Sequence, residues 1–166
     1  MIVAFTGHRP DKLGGWDPLH PIVGRVRKGL RDALAREWPT QAICGMALGV
    51  DTWAAETCVE LGVPFIAAVA CDDMESRWPL PSQERFRRLV ALAQEVIVVS
   101  PGPYQPWKMQ RRNEWMVDRC GRLYYVHDGS PGGTYNCLAY AAQVGRDTRE
   151  IEWRDRSLIP AVPDVS

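Results

Sequence analysis

No apolar run in the sequence approaches the about 20 residues that a bilayer-crossing helix needs, so no membrane span is expected. The opening "MIVAFTGHRP" has no basic segment ahead of its apolar residues and no small-residue cleavage site after them, which argues against a secretory signal. Charge of one sign is not in excess: 20 acidic residues offset 20 basic ones. With no global positive field to hold nucleic acid by counterion release, any phosphate recognition must be local. The five cysteines (Cys44, Cys58, Cys71, Cys120, Cys137) contain no C-x-x-C pair, and their odd number argues against a disulfide framework or a zinc site. Reduced thiols in a cytoplasmic protein are the simpler expectation. Lysine is scarce, only Lys12, Lys28 and Lys108. The remaining basic residues are arginines, which suit bidentate phosphate binding but also track a GC-rich genome.

What is present is alternation. Ile2 to Phe5 is a short apolar run ending at Thr6-Gly7, as in a strand buried on both faces. Pro21 suits a first helical turn, and Ile22, Val26, Leu30 and Leu34 follow at helical spacing to about Trp38-Pro39. A strand over 42–46 leads to a helix that Asp51 can cap and Gly62 can end. Then come the strand "PFIAAVA", a long polar loop, a helix from Ser82, and "EVIVVS", the clearest strand pattern. After the break "PGPYQPW", a helix over 108–120, the strand "RLYYVH", a glycine-rich loop, a helix over about 134–144 and a strand "REIEW" complete the series. This order predicts a single α/β domain over 1–153: a Rossmann-like open, mostly parallel sheet with helices on both faces, followed by an irregular tail over 154–166.

In such sheets ligands bind beyond the carboxyl ends of the strands. Three turns there carry unusual residues. "TGHRP" offers Thr6, Gly7, His8 and Arg9, a bare backbone beside two donors for an anion, or simply a tight turn. "CGMALGVD" places Gly45 and Gly49 at a bend into a helix N-terminus, where Asp51 either caps the helix or accepts ribose hydroxyls. "DGSPGGT" brings Gly129, Ser130, Gly132, Gly133 and Thr134 between a strand and a helix, a pattern suited to phosphate, although it is neither a Walker loop nor G-x-G-x-x-G.

Arg111, Arg112 and Asn113 lie on the preceding helix, where adjacent arginines point about 100 degrees apart, so one of them can face the crevice. Tyr104, Trp107 and Trp115 can stack on a base, although core packing is the commoner fate of tryptophan in helices. His8, His20 and His127 are far apart in sequence, so no metal site is expected, with Asp72-Asp73 at most a loose one. No Ser-His-Asp order or nucleophile elbow stands out.

Taken together, "TGHRP", "LGG", "CGMALGVDTWAAE" and "KMQRRNEWMVDRCGRLYYVHDGSPGGT" resemble the YpsA-like branch of the SLOG superfamily, named for the Smf/DprA and LOG Rossmann-like proteins. The resemblance spans roughly residues 2 to 145 and implies glycine-rich turns that bind a nucleotide or nucleotide-derived ligand. It also suggests a homodimer. LOG-type members are phosphoribohydrolases that use an arginine and a glutamate. Met109-Gln110-Arg111-Arg112 matches their Met-x-x-Arg, placing Arg112 at the catalytic arginine, and Asn113 resembles the Arg-Asn pair of the DprA branch. "SPGGTYN" departs from their pattern, because Asn136 stands at the glutamate position. An amide can neither act as a general base nor balance a developing oxocarbenium ion, so LOG-type hydrolysis would need Asp51, Glu56, Glu114 or Asp128 instead.

The expectation is therefore a nucleotide-ligand sensor or sequestering protein with no firmly implied cofactor. Ser130, Gly132, Gly133, Thr134 and Arg112 would hold phosphate, with Thr6, Gly7 and Arg9 opposite and Asp51 or Asn136 reading ribose or base. An N-glycosidic hydrolase or transferase is the alternative. DprA-like single-strand DNA binding ranks below both for want of a basic stripe.

Overall fold

A computed structural model describes residues 1–155. From residue 156 onward the expected irregular tail lies outside the described residues. Six strands alternate with five α-helices: β1 (Ile2–Gly7), α1 (Pro21–Glu37), β2 (Gln41–Cys44), α2 (Val50–Leu61), β3 (Phe65–Val69), α3 (Leu80–Leu92), β4 (Glu95–Val98), α4 (Pro106–Arg119), β5 (Arg122–Val126), α5 (Gly133–Gln143) and β6 (Asp147–Glu150). They form one open sheet in the order β4-β3-β2-β1-β5-β6, and every described pairing is parallel. No helix among the described residues is long and apolar enough to cross a membrane.

Alternating side chains on each strand serve two separate cores, because successive Cβ atoms point to opposite faces. Val3 and Phe5, Cys44, Phe65, Ala67 and Tyr124 pack with α1, α2 and α3 on one face. Ala4, Ile43, Ile66, Ala68 and Leu123 pack with α4 and α5 on the other. The inner strands are covered twice, which explains their near-continuous apolar runs. The chain grows outward from β1 to β4, then returns to pair β5 on the free side of β1. Connections on opposite faces leave a crevice beyond the carboxyl ends of β1 and β5.

Several boundaries differ from expectation for local reasons. α4 begins at Pro106, inside the stretch read as a break, because proline in a first turn gives up no intrahelical N–H. Pro81 likewise lets α3 begin at Leu80 rather than Ser82. β2 ends at Cys44 because Met46 adopts a left-handed backbone, φ 63°. β6 covers Asp147–Glu150 rather than 149–153: this outer strand pairs through an exposed polar segment, and the apolar Ile151 follows it into the core. β4, the clearest strand in sequence, is the opposite edge.

At the amino end of the sheet, Glu37 closes α1 onto β5. Its Oε2 accepts from Arg122 Nη1 at 2.6 Å and from the Tyr124 hydroxyl at 2.7 Å, while Arg122 Nε reaches Asp147 on β6 at 2.6 Å. The Tyr124 hydrogen bond, with Arg122 adding to it, holds the Glu37 carboxyl below its ordinary value of 4.5. A depressed carboxylate stabilises the fold above the unfolded-state value, and that contribution is lost as pH falls through the folded-state value. Urea midpoints measured from about pH 6 to about pH 3 should therefore decline less steeply in Glu37→Gln than in the wild type.

Candidate functional site

The crevice beyond β1 and β5 encloses about 300 Å³. The turn after β1 contributes Thr6, Gly7, His8 and Arg9, the first turn of α2 contributes Asp51, α4 contributes Arg112 and Asn113, and the loop into α5 contributes Ser130, Gly132, Gly133 and Thr134. These sequence candidates converge on one cavity. Asp11, Lys12, Ala47, Met109, Pro131 and Tyr135 also line it, beyond the contacts that the sequence motifs point to. Lys12 had a usable signal, as one of three lysines and within the loop after β1. Its Nζ donates to Ser130 Oγ at 2.7 Å, joining the two loops across the mouth.

Other candidates stand elsewhere. Glu56 pairs with Arg27 at 3.2 Å and with Arg85, tying α2 to its neighbours α1 and α3, so this carboxylate cannot substitute at the crevice. Glu114 faces Arg111 at 3.9 Å. Asn136 is exposed on α5 and does not line the cavity. Trp107 is exposed, Trp115 lies against Arg119 at 4.2 Å, and Tyr104 belongs to an adjoining cavity of about 770 Å³ that shares Arg9 and Met109 with the crevice. Asp72 accepts from the Gly102 N–H at 2.9 Å, which fastens the loop after β3.

Arg112 is held inside rather than extended into solvent. Its Nε donates to Asn113 Oδ1 at 3.0 Å, and Nη1 donates to the Gly45 carbonyl and, at 3.4 Å, to Ala68. Nη2 lies 3.9 Å from Asp51 Oδ2. Asp51 is not the helix cap: Gly49 occupies that position, and the Asp51 carboxylate turns inward to accept from the Ala47 N–H at 3.3 Å. Burial pushes the Asp51 carboxyl above its ordinary value against the pull of Arg112. The same burial lowers the Arg112 guanidinium despite Asp51.

The glycines divide into two groups. A methyl on Gly7 would strike Val50 Cγ2 at 2.5 Å, and one on Gly45 would strike Asp51 Oδ2 at 2.7 Å and Arg112 Nη1 at 2.8 Å. Gly49 combines φ 89° with a crowded side, where a methyl would strike the His8 carbonyl oxygen. The protein itself requires those three. A methyl on Gly129, Gly132 or Gly133 would meet no protein atom within 4 Å. Gly129 and Gly132 still need their positive φ, whereas Gly133 does not. α5 begins at Gly133 with no side chain capping it, so its unpaired N–H groups open onto the crevice.

β1 pairs with β5 in a register that sets Gly7 opposite Val126, so the next residues, His8 and His127, stand side by side with ring centroids 5.0 Å apart. His8 Nε2 is 2.9 Å from both the Asp128 N–H, which donates to it, and Asp128 Oδ1. Hydrogen bonds from Ser130, with His8 adding to them, hold the Asp128 carboxyl well below the usual carboxylate range, which makes it a weak base. Burial lowers the His8 imidazole more than Asp128 raises it.

Removing Arg112 would take a donor from the Gly45 and Ala68 carbonyls and leave the buried Asp51 without its counter-charge. Arg112→Ala should lose roughly 3–5 kcal/mol of stability in urea denaturation without any ligand, the scale for breaking a buried ion pair.

The architecture has counterparts among solved structures. DNA processing protein A from Helicobacter pylori, described with its single-stranded DNA binding mode, superposes with a TM-score of 0.64 at 15% identity, over 90% of this chain and 64% of that longer one. The molybdenum cofactor carrier protein from Chlamydomonas reinhardtii gives a TM-score of 0.56 at 15% identity, over 90% of this chain and 74% of that one. At these identities the likeness is one of fold. In sequence, the SPbeta prophage-derived protein YoqJ of Bacillus subtilis strain 168 is 32% identical over 129 residues, covering 68% of this chain and 75% of its relative. The model of the YspA SLOG family matches residues 3–154, and with that span the chain belongs to the YspA SLOG family.

Proposed function

We propose that the chain binds a nucleotide or nucleotide-derived phosphate ligand in the β1–β5 crevice, and that it acts as a sensor or sequestering protein. The observation that carries this reading is Gly133. Its backbone is ordinary and the space around it is open, so neither strain nor a neighbouring side chain accounts for the missing Cβ. A ligand drawn close to the α5 N-terminus does account for it, since the unpaired N–H groups and positive helix end favour an anion. Ser130 and Thr134 add hydroxyls, while Arg9 and Lys12 are exposed cations at the rim. Arg112, fixed to carbonyls, contributes positive field from the wall. The Asp51 carboxylate, in the crevice wall, would accept from a ribose hydroxyl. A fold shared with a cofactor carrier is consistent with a small-ligand role. Cytoplasmic residence with reduced thiols, and a homodimer that sedimentation would test, belong to the same reading.

A catalytic reading retains one observation in its favour. Asp51 is a buried carboxylate in the crevice, and burial raises it above its ordinary value despite Arg112, the direction a general acid for N-glycosidic cleavage needs.

The deciding experiment combines thermal shift with chromatography for released base, using nucleoside mono- and diphosphates, NAD, ADP-ribose and an oligonucleotide. Stabilisation by a small nucleotide without base release supports the binder. Base release that disappears in Asp51→Asn establishes the enzyme. Binding of the oligonucleotide alone would overturn both readings. Gly133→Val should weaken nucleotide affinity at least about tenfold, which is 1.4 kcal/mol. The stability of the free protein should stay within about 0.5 kcal/mol, as at open surface sites. Unchanged affinity in that variant would remove the reason for placing phosphate there.

A further inference from the structure

We propose that His8, His127 and Asp128 form a binding site for one divalent transition-metal ion at the mouth of the crevice. Among the described residues, these three bring one potential ligand atom each to within 4.8 Å of the other two. Metal–nitrogen and metal–oxygen bonds of about 2.1 Å around a tetrahedral ion hold donor atoms about 3.4 Å apart. Closing the triad from separations within 4.8 Å therefore takes at most about 1.5 Å of contraction between any two donors, within reach of side-chain rotation. Two imidazoles and one carboxylate favour zinc, cobalt, nickel or copper over magnesium or calcium, which prefer all-oxygen shells.

The arrangement is built by the sheet, not assembled from loose surface side chains. His8 is 6% exposed and His127 is 9% exposed, and both follow directly from the paired ends of β1 and β5. His127 Nε2 donates to the Ser130 carbonyl at 2.8 Å, so the neutral ring keeps a lone pair on Nδ1. A carbonyl on one ring nitrogen is how metal-binding imidazoles are oriented. At His8, one nitrogen faces two partners of opposite demand: the Asp128 amide can only donate and the Asp128 carboxylate can only accept. One ring proton satisfies one of them at a time; a cation between Nε2 and Oδ1 would use the lone pair and the carboxylate together, taking the place of the Asp128 N–H bond.

Three protein ligands leave a coordination position open, as in sites that receive water or substrate. His8 also lines the crevice, so that position can face it. Ion binding stands independently of the nucleotide reading. If both hold, a phosphate oxygen can take the open position.

The test uses the full chain, stripped of metal and free of nucleotide. Zinc is titrated against a chromophoric chelator, and copper(II) is examined by electron paramagnetic resonance. One equivalent of zinc should bind in the presence of excess magnesium, and the copper spectrum should show coupling to two imidazole nitrogens. His127→Ala should leave one coupled nitrogen, and the nearly isosteric Asp128→Asn should weaken zinc binding at least about tenfold. His20→Ala should bind as the wild type does, because His20 caps α1 through its bond with the Ile22 N–H. Circular dichroism of each variant separates loss of ligand from loss of fold, and Asp128→Asn decides the matter if His127→Ala unfolds. Absence of stoichiometric zinc, or equal affinity in wild type and folded Asp128→Asn, overturns the proposal. A failure here with nucleotide binding intact leaves the crevice reading standing, and the converse leaves the metal site standing.

Discussion

The structure turns on the pairing of β1 with β5. These strands are separated by most of the chain, yet their parallel ladder runs from Val3 opposite Arg122 to Gly7 opposite Val126. That register sets the loop after β1 beside the loop after β5, and the two leave toward helices on opposite faces. The crevice, the Lys12–Ser130 bridge and the proximity of His8 to His127 all follow from it. A one-residue slip would turn the strand's side chains to the wrong core and separate the loops as well.

A second constraint is polar. Arg112 reaches from α4 beneath the turn after β2, joining the carbonyls of Gly45 and Ala68 and facing Asp51. Buried charge is tolerated only when it is paired and hydrogen-bonded, and here the pairing fixes α2, α4 and the β2 turn around one wall of the crevice. The residue that the motif points to as a ligand contact is thus also an internal strut. The two roles are compatible if the guanidinium acts by its charge and not by an open fork of donors.

The glycines give the most direct contrast between architecture and recognition. Gly7, Gly45 and Gly49 are bare because protein atoms already occupy the position of a Cβ or because the backbone is left-handed. Gly133 is bare beside open space. Sequence alone presents all four as equivalent members of glycine-rich turns, since nothing local distinguishes a crowded neighbour from an empty one. The same limit hid the place of Glu56, which reads as a crevice carboxylate but faces Arg27 and Arg85 on the outer side of α2.

Sequence by itself determined the alternation of strands and helices, the double coverage of the inner strands and the three turns from which the crevice is made. Those features rest on local hydrophobic period and on glycine or proline at fixed positions, which the chain carries residue by residue. The outer strand β6 and the starts of two helices were less legible. β6 pairs through backbone hydrogen bonds and needs no apolar pattern, and α3 and α4 begin at prolines that also signal breaks. Only the tertiary structure decided which residues meet. Asp51 turns inward instead of capping its helix because Arg112 and the Ala47 amide lie there. His8, His127 and Asp128 cluster because two parallel strands end level with each other, a long-range register that neither composition nor spacing along the chain encodes.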